Sequence, residues 1–255
     1  MEVIMPKLKL TVILLILFSG LFILSTAGHA GKDKTTENTC VNCHSKLSSS
    51  SFVGVKSHNW KGSIHQKNGV TCDKCHGGNP AAAKMNTAHV GVLSSSNPRS
   101  SVYFKNIPST CGKCHGAEYY KFTQSKHFKK LETSGKGPDC VTCHGSMVTT
   151  VLNPEDMANV CDRCHNDRMG IFPYIPQKAK AVLLLIRESN ALLIADQKLY
   201  HPETGSLNAS YLQKAQSSLY SAKLEWHSFD LDVIINRLEK MDNSLKKLSR
   251  KNTRP

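Results

Sequence analysis

Two parts of this chain carry a strong hydrophobic pattern, its first thirty residues and its last third, and the stretch between them carries almost none. At the start, Lys7 and Lys9 precede an apolar run from Leu10 to about Leu24, which ends in the small residues Ser25-Thr26-Ala27-Gly28-His29-Ala30. A cationic start, an apolar run and a small-residue site make an export signal, with the mature chain beginning near Gly31. An uncleaved anchor is the competing reading. Leu10 to Ala27 approaches the ~18 residues a spanning helix needs, although Ser19, Gly20, Ser25 and Thr26 weaken it. After Ala30 no run is long and apolar enough to span a bilayer.

In the last third, apolar residues recur at helical spacing. Val182, Leu185, Ile186, Leu192, Leu193 and Leu199 predict a helix over 178–199. Leu207, Tyr211, Leu212, Ala215, Leu219, Ala222 and Trp226 predict a second over 207–226. Ser228, a residue of the N-cap type, then opens a third, with Val233, Ile234, Leu238, Met241, Leu245 and Leu248 on its apolar side ahead of a basic tail. Pro173-Tyr174-Ile175-Pro176 marks the boundary in front of these helices. The simplest arrangement is a bundle or hairpin packed on what precedes it, and the same apolar face could instead serve a homodimer.

Between these regions, Gly31 to Thr39 is polar and reads as a leader. From Cys40 to His165, clusters such as Gly77-Gly78-Asn79-Pro80, Ser94-Ser95-Ser96-Asn97-Pro98 and Ser134-Gly135-Lys136-Gly137-Pro138 leave room only for short helices, and no strand is evident. The expected fold is mainly α: a signal segment over 1–30, a domain of short helices and loops over 31–176, and a C-terminal helical region over 177–255.

What the middle lacks in periodicity it has in cysteine. The pattern Cys-x-x-Cys-His occurs five times and uses all ten cysteines: Cys40/Cys43/His44, Cys72/Cys75/His76, Cys111/Cys114/His115, Cys140/Cys143/His144 and Cys161/Cys164/His165. In each copy two thiols can add to the vinyl groups of one haem, and the adjacent histidine then lies under the iron as its proximal ligand. A disulfide framework or paired zinc knuckles would leave unexplained why a histidine follows the second cysteine every time. The five copies lie within 126 residues. That leaves about 25 residues per haem, too few for a side-chain core around each, so the haems themselves are expected to be the core.

A haem closed by two histidines needs a distal imidazole from outside these motifs. His58, His65, His89 and His127 are the natural donors. His58 and His65 lie in Ser57-His58-Asn59-Trp60-Lys61-Gly62-Ser63-Ile64-His65, and His127 in Ser125-Lys126-His127. Each segment leads through glycine to the next motif, Gly69-Val70-Thr71-Cys72 and Gly137-Pro138-Asp139-Cys140, so the two look like a degenerate repeat. For a fifth donor, His201 at a helix entry before Pro202 and Glu203 is preferred over His227, which reads as a capping or packing residue.

The formal charge of +14 suggests an anionic partner until the cofactors are counted. The chain beyond residue 30 carries +13, and ten haem propionates would bring the holoprotein to about +3. No nucleic-acid motif accompanies the charge, and export argues against such a partner.

Five such motifs followed by long helices, with Tyr200-His201-Pro202-Glu203 leading into one, resemble the multihaem cytochromes related to cytochrome c nitrite reductase and hydroxylamine oxidoreductase. The resemblance implies an exported, mostly helical protein with closely packed haems. It is specific at the haem motifs and looser at His201-Pro202-Glu203. The chain departs from the nitrite reductases in having histidine, never lysine, at all five motif positions, and in its short segments between motifs.

The function expected is electron transfer by an exported pentahaem cytochrome in the periplasm or at the outer face of the inner membrane, with no residue in a catalytic role. Histidine on both sides of each iron closes it to substrate, and the absence of a methionine ligand favours a low potential. Its partners would be redox proteins: a quinol-linked donor, a downstream cytochrome or a reductase. The alternatives are a small reductase of nitrite, hydroxylamine or a similar oxyanion with one open haem, and a quinol-oxidising module anchored by a retained N-terminal helix.

Overall fold

The computed structural model describes residues 38–148, 152–200 and 206–252. The segment expected to direct export, most of the polar leader and His201 lie outside the described residues. Thirteen α-helices and one 3-10 turn, with no strand among the described residues, make the fold mainly α. In chain order they are α1 (Thr39–His44), α2 (Phe52–Trp60), α3 (Ile64–Lys67), α4 (Asp73–His76), α5 (Met85–Ala88), α6 (Ile107–Gly112), α7 (Gly116–Thr123), α8 (Lys126–Ser134), α9 (Cys140–His144), α10 (Pro154–Asp162), α11 (Ile175–Tyr200), α12 (Leu207–Glu225), the 3-10 turn Trp226–Ser228, and α13 (Leu231–Asn252).

The chain divides by helix length because its start signals are dense in the first part and sparse in the last. Asn38, Ser51, Ser63, Ser125, Asp139 and Asn153 each cap a short helix with a side-chain oxygen on a first-turn amide. Each satisfies one of the donors a helix start leaves open. After Pro176 such interruptions are few, and α11, α12 and α13 run for 26, 19 and 22 residues.

These three helices hold the side-chain core. Val182, Ile186 and Leu193 of α11 meet Leu212, Ala215, Leu219 and Ala222 of α12 and Ile234, Leu238, Met241, Leu245 and Leu248 of α13. Lys178 on α11 and Asp232 on α13 close one edge at 2.8 Å. The core does not stop at residue 176. Met157 of α10 is part of it, and Cys143, Leu152 and Cys161 pack against it, so the last motifs sit on the bundle.

Two details differ from the sequence expectation. The stripe expected on the first long helix splits: Ile186 and Leu193 are buried, whereas Leu185, Leu192 and Leu199 face outward. Residues next to each other in sequence lie about 100° apart on a helix, and only one of each pair can face the core. Ser228 does not cap α13. It lies in the 3-10 turn, Phe229 follows in the left-handed region at φ 59°, and the Asp230 carboxylate accepts from the Val233 amide instead.

In the first part, by contrast, the large buried apolar side chains among the described residues are few: Trp60, Phe122, Leu131 and Met157. Trp60 donates its indole N–H to the Val70 carbonyl at 3.0 Å and so pins the segment before the second motif. A region with so small a core of its own is what the residue count per motif predicted. Among the described residues no helix is long and apolar enough to cross a membrane.

Candidate haem sites

The five motifs fold alike. The histidine amide bonds to the carbonyl of the first cysteine at 2.9 Å in the second, third and fifth motifs, and the first and fourth lie within α1 and α9. In a helical turn the positions i, i+3 and i+4 share one face, so each motif presents two thiols and an imidazole to the same side. None of the ten cysteines is in a disulfide.

Opposite four of the five motif histidines lies a second imidazole. His44 faces His89 with ring centroids 5.9 Å apart and planes 23° from parallel. His115 faces His65 at 6.1 Å, His165 faces His127 at 6.0 Å, and His144 faces His227 at 6.2 Å and 24°. A metal–imidazole bond of about 2 Å, plus about 1 Å from nitrogen to ring centre, puts two imidazoles on opposite sides of one metal about 6 Å apart. All four pairs have that separation.

The rings are also held as ligands are held. His89 lies 2.7 Å through Nδ1 from the Met85 carbonyl, and His165 lies 2.9 Å through Nδ1 from the Ile171 carbonyl. That bond fixes the tautomer and leaves Nε2 for a metal. In His127 and His227, Nδ1 is buried without a hydrogen-bond partner. An orphaned buried polar atom costs about 1–3 kcal/mol, so the His127 ring is not anchored through Nδ1 by the polypeptide. Burial first, and the facing His165 second, hold His127 down to about 4. Burial likewise lowers His44, His65 and His227, each helped by its facing imidazole. Neutral imidazole is the ligand form.

Apolar side chains flank the paired rings and are left uncovered by protein: Ile64 beside His65, Met85 and Val90 around His89, and Ile171 and Phe172 after His165. Met85 is 77% exposed and Val90 70%. A flat, apolar group with its metal between the rings fits both the spacing and this surface. The residues present therefore fit haem c.

Thiolate metal sites fit less well. Burial pushes the Cys72 and Cys143 thiols up to about 11, away from the thiolate that zinc requires. No cluster of three or more His, Cys, Asp or Glu side chains able to hold a metal ion occurs among the described residues.

Consecutive motifs are neighbours in space. Asn38, the cap of α1, donates to Asp73 in the second motif at 2.9 Å, and Thr39 donates to the Pro80 carbonyl at 2.8 Å. Burial alone would raise the Asp73 carboxyl, but hydrogen bonds from Thr71, Lys74 and Asn38 and the Lys74 charge hold it below its ordinary value. Cys40 lies close enough to Cys72, and Cys75 to Cys111 and Cys114, for their charges to be felt. The Cys111 and Cys140 thiols hydrogen-bond to each other, and Cys143 neighbours Cys161. The order of sites in space follows the order in the chain.

The ten thiols are not sheltered equally. Cys43, Cys114 and Cys164 are exposed, and the other seven are half-buried. For Cys43 and Cys164 the reason is position in the row of motifs. The first and fifth motifs are its two ends, each with a neighbouring motif on one side, and in each the first cysteine takes that side: Cys40 towards Cys72, and Cys161 towards Cys143. The second cysteine, three residues on, is left without protein cover. Cys114 is exposed although Cys75 is near it. All three keep the helical register of their motifs, so exposure changes their shelter and not the face they share with the imidazole.

The facing imidazoles cross the order of the motifs. His65 precedes the second motif and faces the histidine of the third; His127 precedes the fourth and faces that of the fifth. Both occupy the second position of a helix capped by a buried serine, Ser63 on the Gln66 amide and Ser125 on the Phe128 amide. The two segments are thus equivalent in structure, as their sequences suggested.

The remaining candidates are placed differently. His58 is exposed on α2, and neither it nor His76 faces another imidazole among the described residues. His201 lies outside the described residues. His227, read from sequence as a packing residue, stands opposite His144.

Residues 23–77 match the family model described as cytochrome c554 and c-prime, a stretch that takes in the first two motifs. The match supports a c-type cytochrome. It supports covalently bound haem c and electron transfer in the same measure. No curated protein matches this chain, and no solved structure does.

Proposed function

We propose that this cytochrome carries five covalently bound haems and is an exported electron carrier, working in the periplasm or at the outer face of the inner membrane between a quinol-linked donor and a downstream cytochrome or reductase. The observation that carries this reading is the set of four imidazole pairs about 6 Å apart across four of the five motifs. Bound there, haem c supplies one-electron redox chemistry. The protein's part is to fix spacing, ligation and exposure: the motif turns aim thiols and proximal imidazoles, and His65, His89 and His127 close the opposite sides. Closure of four irons leaves substrate no place to bind there, and succession of the sites in space provides a path through the molecule. The exported location rests on the N-terminal pattern of Lys7, Lys9, the apolar run and the small-residue site.

Pyridine haemochrome quantification against protein mass should give five haems per chain; four or fewer in fully matured protein would make one motif structural. With a reduced dye as donor, nitrite and hydroxylamine should not be turned over. Turnover at the several-per-second rates common among enzymes would favour a small reductase instead. The observation on the side of that second reading is His76, which faces no imidazole of the described residues.

A further inference from the structure

The imidazole that faces His144 comes from the C-terminal region, on a turn built around a buried charge. The 3-10 turn Trp226–Ser228 joins α12 to α13, and Glu225, the last residue of α12, is buried with its carboxylate side chain 8% exposed. A buried carboxylate is strongly unfavourable unless cations and donors surround it. Here Oε2 accepts from Lys121 Nζ at 3.0 Å and from Arg237 Nη2 at 3.0 Å, while the Ser228 hydroxyl lies 2.9 Å from Oε1 and 2.8 Å from the Glu225 carbonyl.

The origins of these partners matter more than their number. Lys121 is on α7, the helix that begins directly after His115 of the third motif. Arg237 is on α13. Ser228 closes the turn itself. One carboxylate therefore joins the haem-site region, the bundle and the loop between them, two residues before His227. Trp226 is buried on one side of that histidine. Beyond it, Phe229 packs edge-on against His127 at 4.4 Å and against Phe122 at 6.3 Å. The turn thus touches the imidazole pair of the fifth motif as well as completing that of the fourth.

We propose that His227 is the sixth ligand of the haem held by Cys140, Cys143 and His144, and that Glu225 is the positioning residue that aims it. This rests on the reading of the paired imidazoles as haem ligands given above. It makes the C-terminal helices part of the redox unit, since removing them would open an iron.

The test uses the mature, fully haem-loaded full-length protein, with magnetic and optical spectra of the oxidised form. In His227→Ala, one low-spin iron should become high-spin at unchanged haem content, and added imidazole should restore it. In His227→Met, one iron should stay low-spin with its potential shifted upward, since methionine ligation raises it. This variant decides the matter if His227→Ala does not fold. In Glu225→Ala, the same iron should give a mixture of spin states and take up imidazole. Glu225→Gln keeps an acceptor for Lys121 and Arg237 and should return the low-spin signal.

An unchanged low-spin count in His227→Ala, or an unshifted potential in His227→Met, overturns the ligand assignment. A wild-type spectrum in Glu225→Ala overturns the positioning role. If the unaltered protein shows no bis-imidazole iron at all, the broader reading fails and not this assignment alone.

Discussion

Gly137→Ala should damage this protein far more than its chemical size suggests. A Cβ at Gly137 would lie 2.3 Å from the His127 carbonyl oxygen and 2.4 Å from the Leu131 amide nitrogen, where ordinary contact begins near 3.4 Å. Both obstacles are backbone of α8, so no side chain can swing aside. Relief requires about 1 Å of movement by α8 or by the segment leading to Asp139 and Cys140. Overpacking of this kind costs about 1–3 kcal/mol. The spectroscopic effect follows from what must move: α8 carries His127, whose ring stands 6.0 Å from that of His165, and the other side carries the fourth motif. A metal–ligand bond of about 2 Å does not absorb a displacement of 1 Å, so one iron should lose part of its low-spin character. The assays are chemical denaturation and the spectrum of the oxidised protein. Gly69→Ala is the control, because Gly69 occupies the same place before the second motif but has φ +70° and open space around its missing Cβ. It should cost about 1–2 kcal/mol of left-handed strain without touching any iron. Equal behaviour of the two variants, or a Gly137→Ala protein with wild-type stability and spectrum, would refute the reasoning.

His65→Ala, His89→Ala and His127→Ala should each convert one low-spin iron to high spin, and any of them with a wild-type spectrum would remove that residue from the ligand set. Asn38→Ala should cost about 0.5–2 kcal/mol as a lost helix cap, read by denaturation, and should perturb the first two sites together because the same side chain holds Asp73. Leu131→Ala, at a fully buried position on α8, should cost about 2–5 kcal/mol; a loss below 1 kcal/mol would mean that the haem-site region has another core.

The motifs were readable in the sequence because their geometry is local: i, i+3 and i+4 fall on one face wherever the chain makes a single turn. How far each thiol is sheltered was not, since the exposure of Cys43 and Cys164 depends on which motif stands beside which. His65 and His127 were readable for the same local reason, each one residue past the first position after a capping serine. Their pairing was not. His65 passes over the second motif to reach His115, and nothing in sequence spacing records that reach. The long helices were visible from periodicity, but α11 has apolar residues on two faces, and only packing decides between Leu185 and Ile186 or between Leu192 and Leu193. That His227 faces His144 was not readable, because His227 sits in a turn with no pattern of its own. A signal did exist beside it. Glu225 falls three residues after Ala222 on the buried face of α12, where a carboxylate is tolerated only with partners, and such a residue marks a place where several elements converge.

The central claim is that this chain holds its irons between paired imidazoles, and the spectrum of the oxidised, fully loaded protein tests it most directly. The account predicts five irons per chain, of which at least four show the low-spin signature of two imidazole ligands. Three or fewer such irons in protein carrying its full complement of haem would contradict it.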